Sequence, residues 1–414
     1  MSIKEQKVAV IGAGIIGLCV AKRLRDCGYH VCLFDSEGIA QRCSKGNAGH
    51  FATEQVFPLA DKKLLPKLPN MLFNPQGALS IKASYALKML PWFFRFLLNM
   101  REKRFNAHTR ALKALNESSL SAYEELLAGS NYQSLLTKNG SLLTFEQSKP
   151  SDIEKIYLNF KAQNVSVTWL DKKALHELEP NISEHVTNAL FFPEVGHSID
   201  PHSLCMHIFN QYNKQGGEFF QEAVTNIIAQ SDKSIVSTST NNTYHFDKVV
   251  VCTGAWSKPL AKQLGFNVPL ETERGYHAMV EKHDILSRPV ASAERQFIIT
   301  PMQQGLRLAG TVEFAGLNAP ERTTRATMLL GHAKNILTDI QHCQIKQTWM
   351  GCRPSLPDSL PVISTAPDNK NILFAFGHQH LGLTQAAITA KLIAQLCQGE
   401  QPSLDLNPYR INRF

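Results

Sequence analysis

The sequence predicts a mixed α/β protein, and three observations carry that prediction. Val8-Ala9-Val10-Ile11 runs into Gly12-Ala13-Gly14-Ile15-Ile16-Gly17, a strand, a glycine turn and a helix start in succession. Two further strand-to-glycine-to-helix junctions follow, near residues 254 and 377. Residues 268–314 read as β-rich, whereas 76–130 read as mostly helical. The expected fold is therefore α/β with α+β character. A discontinuous Rossmann-like domain (1–55, 196–262 and 349–414) binds a dinucleotide, and a β-rich substrate domain with flanking helices comprises 56–195 and 263–348.

Each element has a local reason. Gly12 allows the tight turn out of the first strand, Gly14 lets backbone approach a pyrophosphate, and Gly17 lets the helix pack close to the sheet. The helix start offers free N–H groups to phosphate. Asp35 ends a second apolar run, Val31-Cys32-Leu33-Phe34, where a carboxylate can accept from a ribose diol. The small-residue loop Cys43-Ser44-Lys45-Gly46-Asn47-Ala48-Gly49-His50 implies backbone passing close to something flat or bulky. Lys138-Asn139-Gly140 between apolar stretches (135–145) predicts a hairpin. Leu178-Glu179-Pro180 closes a helix-like segment, and Asp200-Pro201 opens a helix running to Gly216-Gly217. Strands are expected over 219–228 and 234–239, with Asn241-Asn242 turning into 244–246. Val249-Val250-Val251 reads as a buried strand, and Gln303-Gln304-Gly305 as a turn. Ile372-Leu373-Phe374-Ala375-Phe376 is a further buried strand, ending at Gly377, and Gly377 to Thr384 opens the C-terminal helix.

Composition narrows the class. At 414 residues, with 43% apolar and 19% charged, the chain suits two sizeable globular domains. Lys4 and Lys7 ahead of an uncharged stretch mimic a secretory leader, but three glycines at fingerprint spacing interrupt it. The nine cysteines are scattered, with no CxxC, so reduced thiols, a cytoplasmic location and no metal are expected. The net charge of +8 is concentrated in 61–113, which holds eleven Lys/Arg against Asp61 and Glu102. That window also contains Trp92, Phe93, Phe94 and Phe96. Two readings fit it: a peripheral contact with an anionic membrane, and a core-facing helix with a solvated basic side. No nucleic-acid motif accompanies the charge, so nucleic acid is not an expected partner.

The chain resembles the D-amino-acid oxidase superfamily of FAD-dependent oxidoreductases, and within it the bacterial D-amino-acid and D-hydroxyproline dehydrogenases. The resemblance runs through GAGIIG with Asp35, SKGNAGHFATEQVFPLA (44–60), LPWFFRFL (90–97), VVVCTGAWS (249–257), ERGYH (273–277), GCRPSLPDSLPVI (351–363) and GHQHLGLT (377–384). It implies non-covalent FAD. Ile11, Gly12, Gly14, Ile15, Ile16, Gly17, Asp35 and Ser36 would hold its ADP half. Arg42, Cys43, Ser44, Asn47, Ala48, Gly49 and His50 would run beside the flavin. Val224 would meet adenine, and Cys252, Thr253, Gly254 and Trp256 would line the cofactor. Gly377, His378, His380, Leu381, Gly382, Leu383 and Thr384 would bring a helix N-terminus to the flavin ring, where it stabilises negative charge.

The resemblance further implies that Arg353 clamps the substrate carboxylate through its planar fork. Tyr276, His277 and His50 are the other expected catalytic-site residues. The implied reaction is oxidation of a D-amino acid, including cyclic ones such as D-proline or cis-4-hydroxy-D-proline. Hydride passes to flavin N5, and electrons go on to a quinone or other carrier. A glycine- or sarcosine-type oxidase using oxygen also fits. A non-catalytic FAD-binding subunit is the alternative of another class, and Arg353 speaks against it.

Overall fold

The computed structural model describes residues 6–414 apart from 75, 231 and 283. The strand Lys7–Ile11 is buried from its second residue on, as a central parallel strand must be. It lies between Lys248–Val251 and His30–Phe34, pairing Ala9 with both Val249 and Cys32. The sheet continues through Asn369–Phe376 to the antiparallel edge Val362–Ala366 on one side, and to Glu218–Phe220 on the other. Its six strands thus come from widely separated stretches of chain. The helix Ile15–Asp26 stops where Gly28, at φ +85°, lets the Gly28 and Tyr29 N–H groups bond back to Arg25 and Leu24.

Helices Ile15–Asp26, Pro201–Lys214 and Gly382–Gln398 cover one face of this sheet, with Leu18, Ile208 and Ile393 in one apolar cluster. The other face packs Phe34, Val249 and Phe374 against a three-stranded antiparallel sheet, 224–228, 234–238 and 243–246. These are the layers of a doubly wound nucleotide-binding unit.

A second, larger sheet is built around Glu271–Val280, flanked by Gly305–Phe314 and Ile345–Ser355. It extends through Phe297–Met302 and Val290–Ser292 to Ser141–Phe145, Asn188–Phe192 and Thr168–Asp171. The helix Thr324–Ile336 covers one face, packing Leu329 and Ala333 against Leu306 and Leu308. Helices Ala83–Asn99, Glu102–Glu117 and Ser119–Leu126 join the two units. The Tyr123 hydroxyl donates to the Leu383 carbonyl at 2.8 Å.

Several expectations need correction. Ser141–Phe145 forms no hairpin around Gly140. It pairs in parallel with Val290–Ser292 and antiparallel with Asn188–Phe192, so long-range partners win over the local turn. The strand expected over 219–228 is two strands in different sheets, Glu218–Phe220 and Val224–Ile228. The expected boundary at 349 falls inside Ile345–Ser355, a strand of the larger sheet. In 61–113, Trp92 and Phe96 are buried with Met89 and Phe314, whereas Phe94 is exposed.

Candidate active site

A cavity of about 880 Å³ lies between the two units. At its phosphate end the glycine geometry is tight. A Cβ on Gly12 would sit 2.6 Å from the Cys252 carbonyl oxygen, and one on Gly17 would sit 1.8 Å from the Gly12 oxygen. Gly14 meets only Ser44 Oγ, at 3.3 Å, and otherwise faces the cavity. Ser44 Oγ accepts the Ile15 N–H at 2.9 Å, tying the loop to the helix start. Asp35 accepts from the N–H groups of Ala13 and Glu37, at 2.8 and 2.9 Å, and lines the cavity with Ser36. Ile11, Ile15, Ile16, Val224, Cys252, Thr253, Gly254 and Trp256 line the same region. Arg42 lies over the Trp256 ring at 4.8 Å and pairs with Glu37 at 2.6 Å.

The loop after Arg42 is stitched in place from several directions. Cys43 Sγ donates to the Cys352 carbonyl at 2.7 Å. The Gly46 carbonyl meets His277 Nδ1 at 3.0 Å, and Arg307 donates to the Asn47 carbonyl. Asn47 Oδ1 accepts the Gly49 N–H at 2.9 Å, and Gly49, at φ +75°, backs onto the Ser198 carbonyl. Loop 43–48 is thereby presented to the cavity as a preset edge. At the opposite wall the chain turns at Gly377, φ +87°, before the helix starts at Gly382. That helix has no side-chain cap, so its first N–H groups are free to meet a ligand. Gly377, His378, His380, Gly382 and Leu383 line the cavity.

One face of the larger sheet closes the site. Gly275 and Gly351 face each other across the strands, and the missing side chains are filled by neighbours. A Cβ on Gly275 would lie 2.4 Å from Arg353 Cζ, so the guanidinium rests on that glycine. Trp349 fills the space over Gly351 and Gly46, and stacks on His277 with ring centroids 5.1 Å apart. Among the described residues no acid bridges to Arg353, which lines the cavity half-buried. An unpaired fork in such a place is a ready carboxylate receptor. Trp349 and Gly275 were not foreseen, because their roles depend on cross-strand pairing.

The polar groups between loop and helix are unusually buried. Burial, with His197 and His380 nearby, holds His50 down to about 3. Burial likewise holds His378 down to about 3 and His380 to about 4. His277 is pushed to about 3 by burial and by Arg307, so it is a neutral ring. His378 Nε2 meets Thr389 Oγ1 at 3.0 Å, and His380 Nε2 meets Gln55 Oε1 at 3.2 Å. Glu54 lines the cavity at 7% exposure, and burial pushes its carboxyl up to about 8. It lies inside the 44–60 segment, but nothing in the residue pattern singled it out.

Four of the expected cofactor contacts do not line the cavity. Gly17 is spent on helix–turn packing, and Gly49 on the Ser198 contact. Leu381 is buried in the apolar cluster of the first helix. The Thr384 hydroxyl accepts the Ala52 N–H at 3.0 Å. Tyr276 borders the cavity, but its hydroxyl donates to Glu313 at 2.6 Å. Glu313 in turn pairs with the fully buried Arg274 at 2.9 Å. Alternation along the strand turns the Tyr276 hydroxyl toward Glu313, away from the face that carries Arg353.

Comparison with known proteins decides the family. The sequence matches the family described as DAO, FAD dependent oxidoreductase, over residues 7–396. The chain belongs to that family. It is 33% identical to a D-amino-acid oxidase from Bradyrhizobium diazoefficiens, covering 98% of each chain. It is 26% identical to a D-amino acid dehydrogenase from Vibrio vulnificus, over 95% of this chain and 96% of that one. The fold resembles glycine oxidase from Bacillus cereus, with a TM-score of 0.75 at 22% identity over 97% of this chain and all of that one. It also resembles L-proline dehydrogenase from P. horikoshii, with a TM-score of 0.75 at 17% identity over 99% of this chain and 98% of that one. The protein is an FAD-dependent oxidoreductase of the amino-acid-oxidising type. The residues present fit FAD: open backbone at Gly14, an acid at the end of the second strand, and an uncapped helix N-terminus across the cavity.

Proposed function

We propose that the enzyme oxidises a D-amino acid to the imino acid, which water converts to the 2-oxo acid, with a quinone or other carrier as final electron acceptor. The observation that carries this reading is Arg353, an unpaired guanidinium laid over Gly275 in the cavity wall. It would bind the substrate carboxylate by two parallel hydrogen bonds and so fix the position of Cα. The names of the sequence relatives support a D-amino acid as substrate class. When bound, FAD supplies the two-electron acceptor for the hydrogen on Cα. Trp349 and His277 form a flat, dry wall beside Arg353, and the helix start at Gly382 favours negative charge built up near it. The test is anaerobic mixing of the holoenzyme with a panel of D-amino acids, including D-proline and cis-4-hydroxy-D-proline. Bleaching of the flavin absorbance by at least one of them is expected, and indifference to all of them rejects the reading. Rapid reoxidation by air would favour an oxidase over a dehydrogenase.

We further infer a peripheral contact with an anionic lipid surface. No helix of the described residues is long and apolar enough to cross a membrane. The helix Ala83–Asn99 nevertheless exposes Leu87 (80%), Leu90 (58%), Phe94 (65%) and Leu97 (48%) as one stripe, at helical spacing. Arg95, Arg101 and Lys103 lie near it without an ion pair among the described residues. Apolar side chains backed by free cations suit a headgroup layer.

A further inference from the structure

Four acids line the cavity: Asp35, Glu37, Glu54 and Glu222. Three are already committed. Asp35 accepts two backbone N–H groups, and Glu37 pairs with Arg42. Glu222 accepts from Thr238, Thr240, Asn242 and Tyr244. Glu54 is different. Its Oε1 lies 3.4 Å from His50 Nε2, and among the described residues neither Oε2 nor that ring nitrogen has a hydrogen-bond partner. Both atoms are buried, and although Gln55 and the backbone N–H of Glu54 reach the carboxyl, a buried Oε2 without a donor is costly unless a ligand completes it. The next residue, Gln55, bonds His380, whose ring feels the charge of Arg353. Glu54 therefore belongs to the Arg353 end of the cavity, whereas Asp35, Glu37 and Glu222 border the dinucleotide end with Val224.

We propose that Glu54 accepts a proton from the substrate ammonium, with His50 holding the carboxyl in place. The inference rests on the amino-acid reading above. In the step one N–H bond of the ammonium breaks and the O–H bond of Glu54 forms. The nitrogen keeps the electron pair and becomes the neutral amine that oxidation at Cα requires. Burial prepares the acceptor: a carboxyl brought up to about 8 is far closer to an ammonium in proton affinity than an ordinary carboxylate. The groups facing Glu54 are His50 on the same segment, His197 across the short strand pair, and His380 before the C-terminal helix, with Arg353 beyond. The imidazoles of His50, His197 and His380 are held neutral, so Glu54 is the group there whose charge changes near neutral pH.

The test is the pH profile of flavin bleaching, read as kcat/KM for two D-amino acids with different amine pKa values, such as D-alanine and D-3-fluoroalanine. Wild type should show one rising limb near pH 8 for both, set by Glu54 rather than by the substrate. Glu54→Gln should keep stoichiometric FAD, and its limb should move up to each substrate's own amine pKa. Its kcat/KM should fall about 100-fold at pH 7 and approach wild type at high pH. A wild-type limb that follows the substrate amine, or a Glu54→Gln profile that coincides with wild type, overturns the proposal. Should Glu54→Gln fail to hold FAD, the two-substrate comparison on wild type decides alone. Wild-type flavin that no amino acid bleaches at any pH would instead reject the amino-acid reading itself.

Discussion

Gly275 and Arg353 act as one unit at the residue scale. The guanidinium occupies the volume a side chain at 275 would need. Arg353→Ala should keep FAD and lose about 2–5 kcal/mol of transition-state binding, a drop of roughly thirty- to several-thousand-fold in kcat/KM. Arg353→Lys should recover only part, because the planar fork is lost. Gly275→Ala should mimic much of this loss by displacing the fork. Combined with Arg353→Ala it should add little, since both changes remove one interaction. Steady-state kinetics on the three variants and the double variant check this, and full additivity would separate the two residues. Such pairings explain what the sequence could and could not reveal. Gly12, Gly14 and Gly17 are legible because backbone conformation and close approach demand glycine at fixed spacing. Arg353 was legible only through a motif. Trp349 and Glu54 stayed silent, since nothing local distinguishes a tryptophan or a glutamate that faces a cavity. Tyr276 lines the cavity as expected, but the partner of its hydroxyl, Glu313, depends on the strand's parity within its sheet, which is a tertiary fact.

Among the elements, the glycine turn and the Ala83–Asn99 helix each make a separate prediction. Gly14→Val should abolish FAD binding by filling the open approach at the helix start, as measured by flavin content after purification. The helix stripe predicts co-sedimentation with anionic vesicles at low salt, weakened at high salt, since each basic residue near the surface contributes about 1 kcal/mol and is screened within a Debye length. Changing Lys88, Arg95, Arg101, Lys103 and Arg104 to Gln should remove the salt-sensitive part. Leu90→Ser with Phe94→Ser should remove the salt-insensitive part. Trp92→Phe should leave binding alone, because Trp92 packs on Phe96 and Phe314 inside the protein. Wild type that stays in the supernatant at low salt makes the stripe an ordinary exposed face. For 61–113 composition revealed an amphipathic basic helix that fits both readings, but not which aromatics the neighbouring sheet would claim: Trp92 and Phe96 face the core and Phe94 stays exposed.

For the whole molecule, the site is the seam between two sheets. Strands from both units, the 43–50 loop and the C-terminal helix all contribute to one cavity. A ligand filling that seam binds the folded state alone, so FAD should raise Tm in a concentration-dependent way, a hundredfold excess over Kd adding about 2.7 kcal/mol of stability. Differential scanning fluorimetry of apoprotein with added FAD checks this. Acid or heat should release free FAD, as expected for non-covalent binding, and flavin retained on the denatured chain would show a covalent link.

The order of the six-stranded sheet also sets a schedule for synthesis. Its central strand is made long before Asn369–Phe376 and the helix Gly382–Gln398 that packs on Ile15–Asp26. A nascent chain carries the glycine fingerprint long before it has the wall that faces it. Cofactor capture must therefore wait until the ribosome has passed Gln398. Until then the apolar face that holds Val8, Val10 and Leu18 has the Pro201–Lys214 helix but lacks the Gly382–Gln398 helix that completes its cover, and a partly covered apolar face is prone to misassembly. Chains stalled on the ribosome before residue 361 should hold no flavin, and chains stalled far enough past 398 to clear the tunnel should load it.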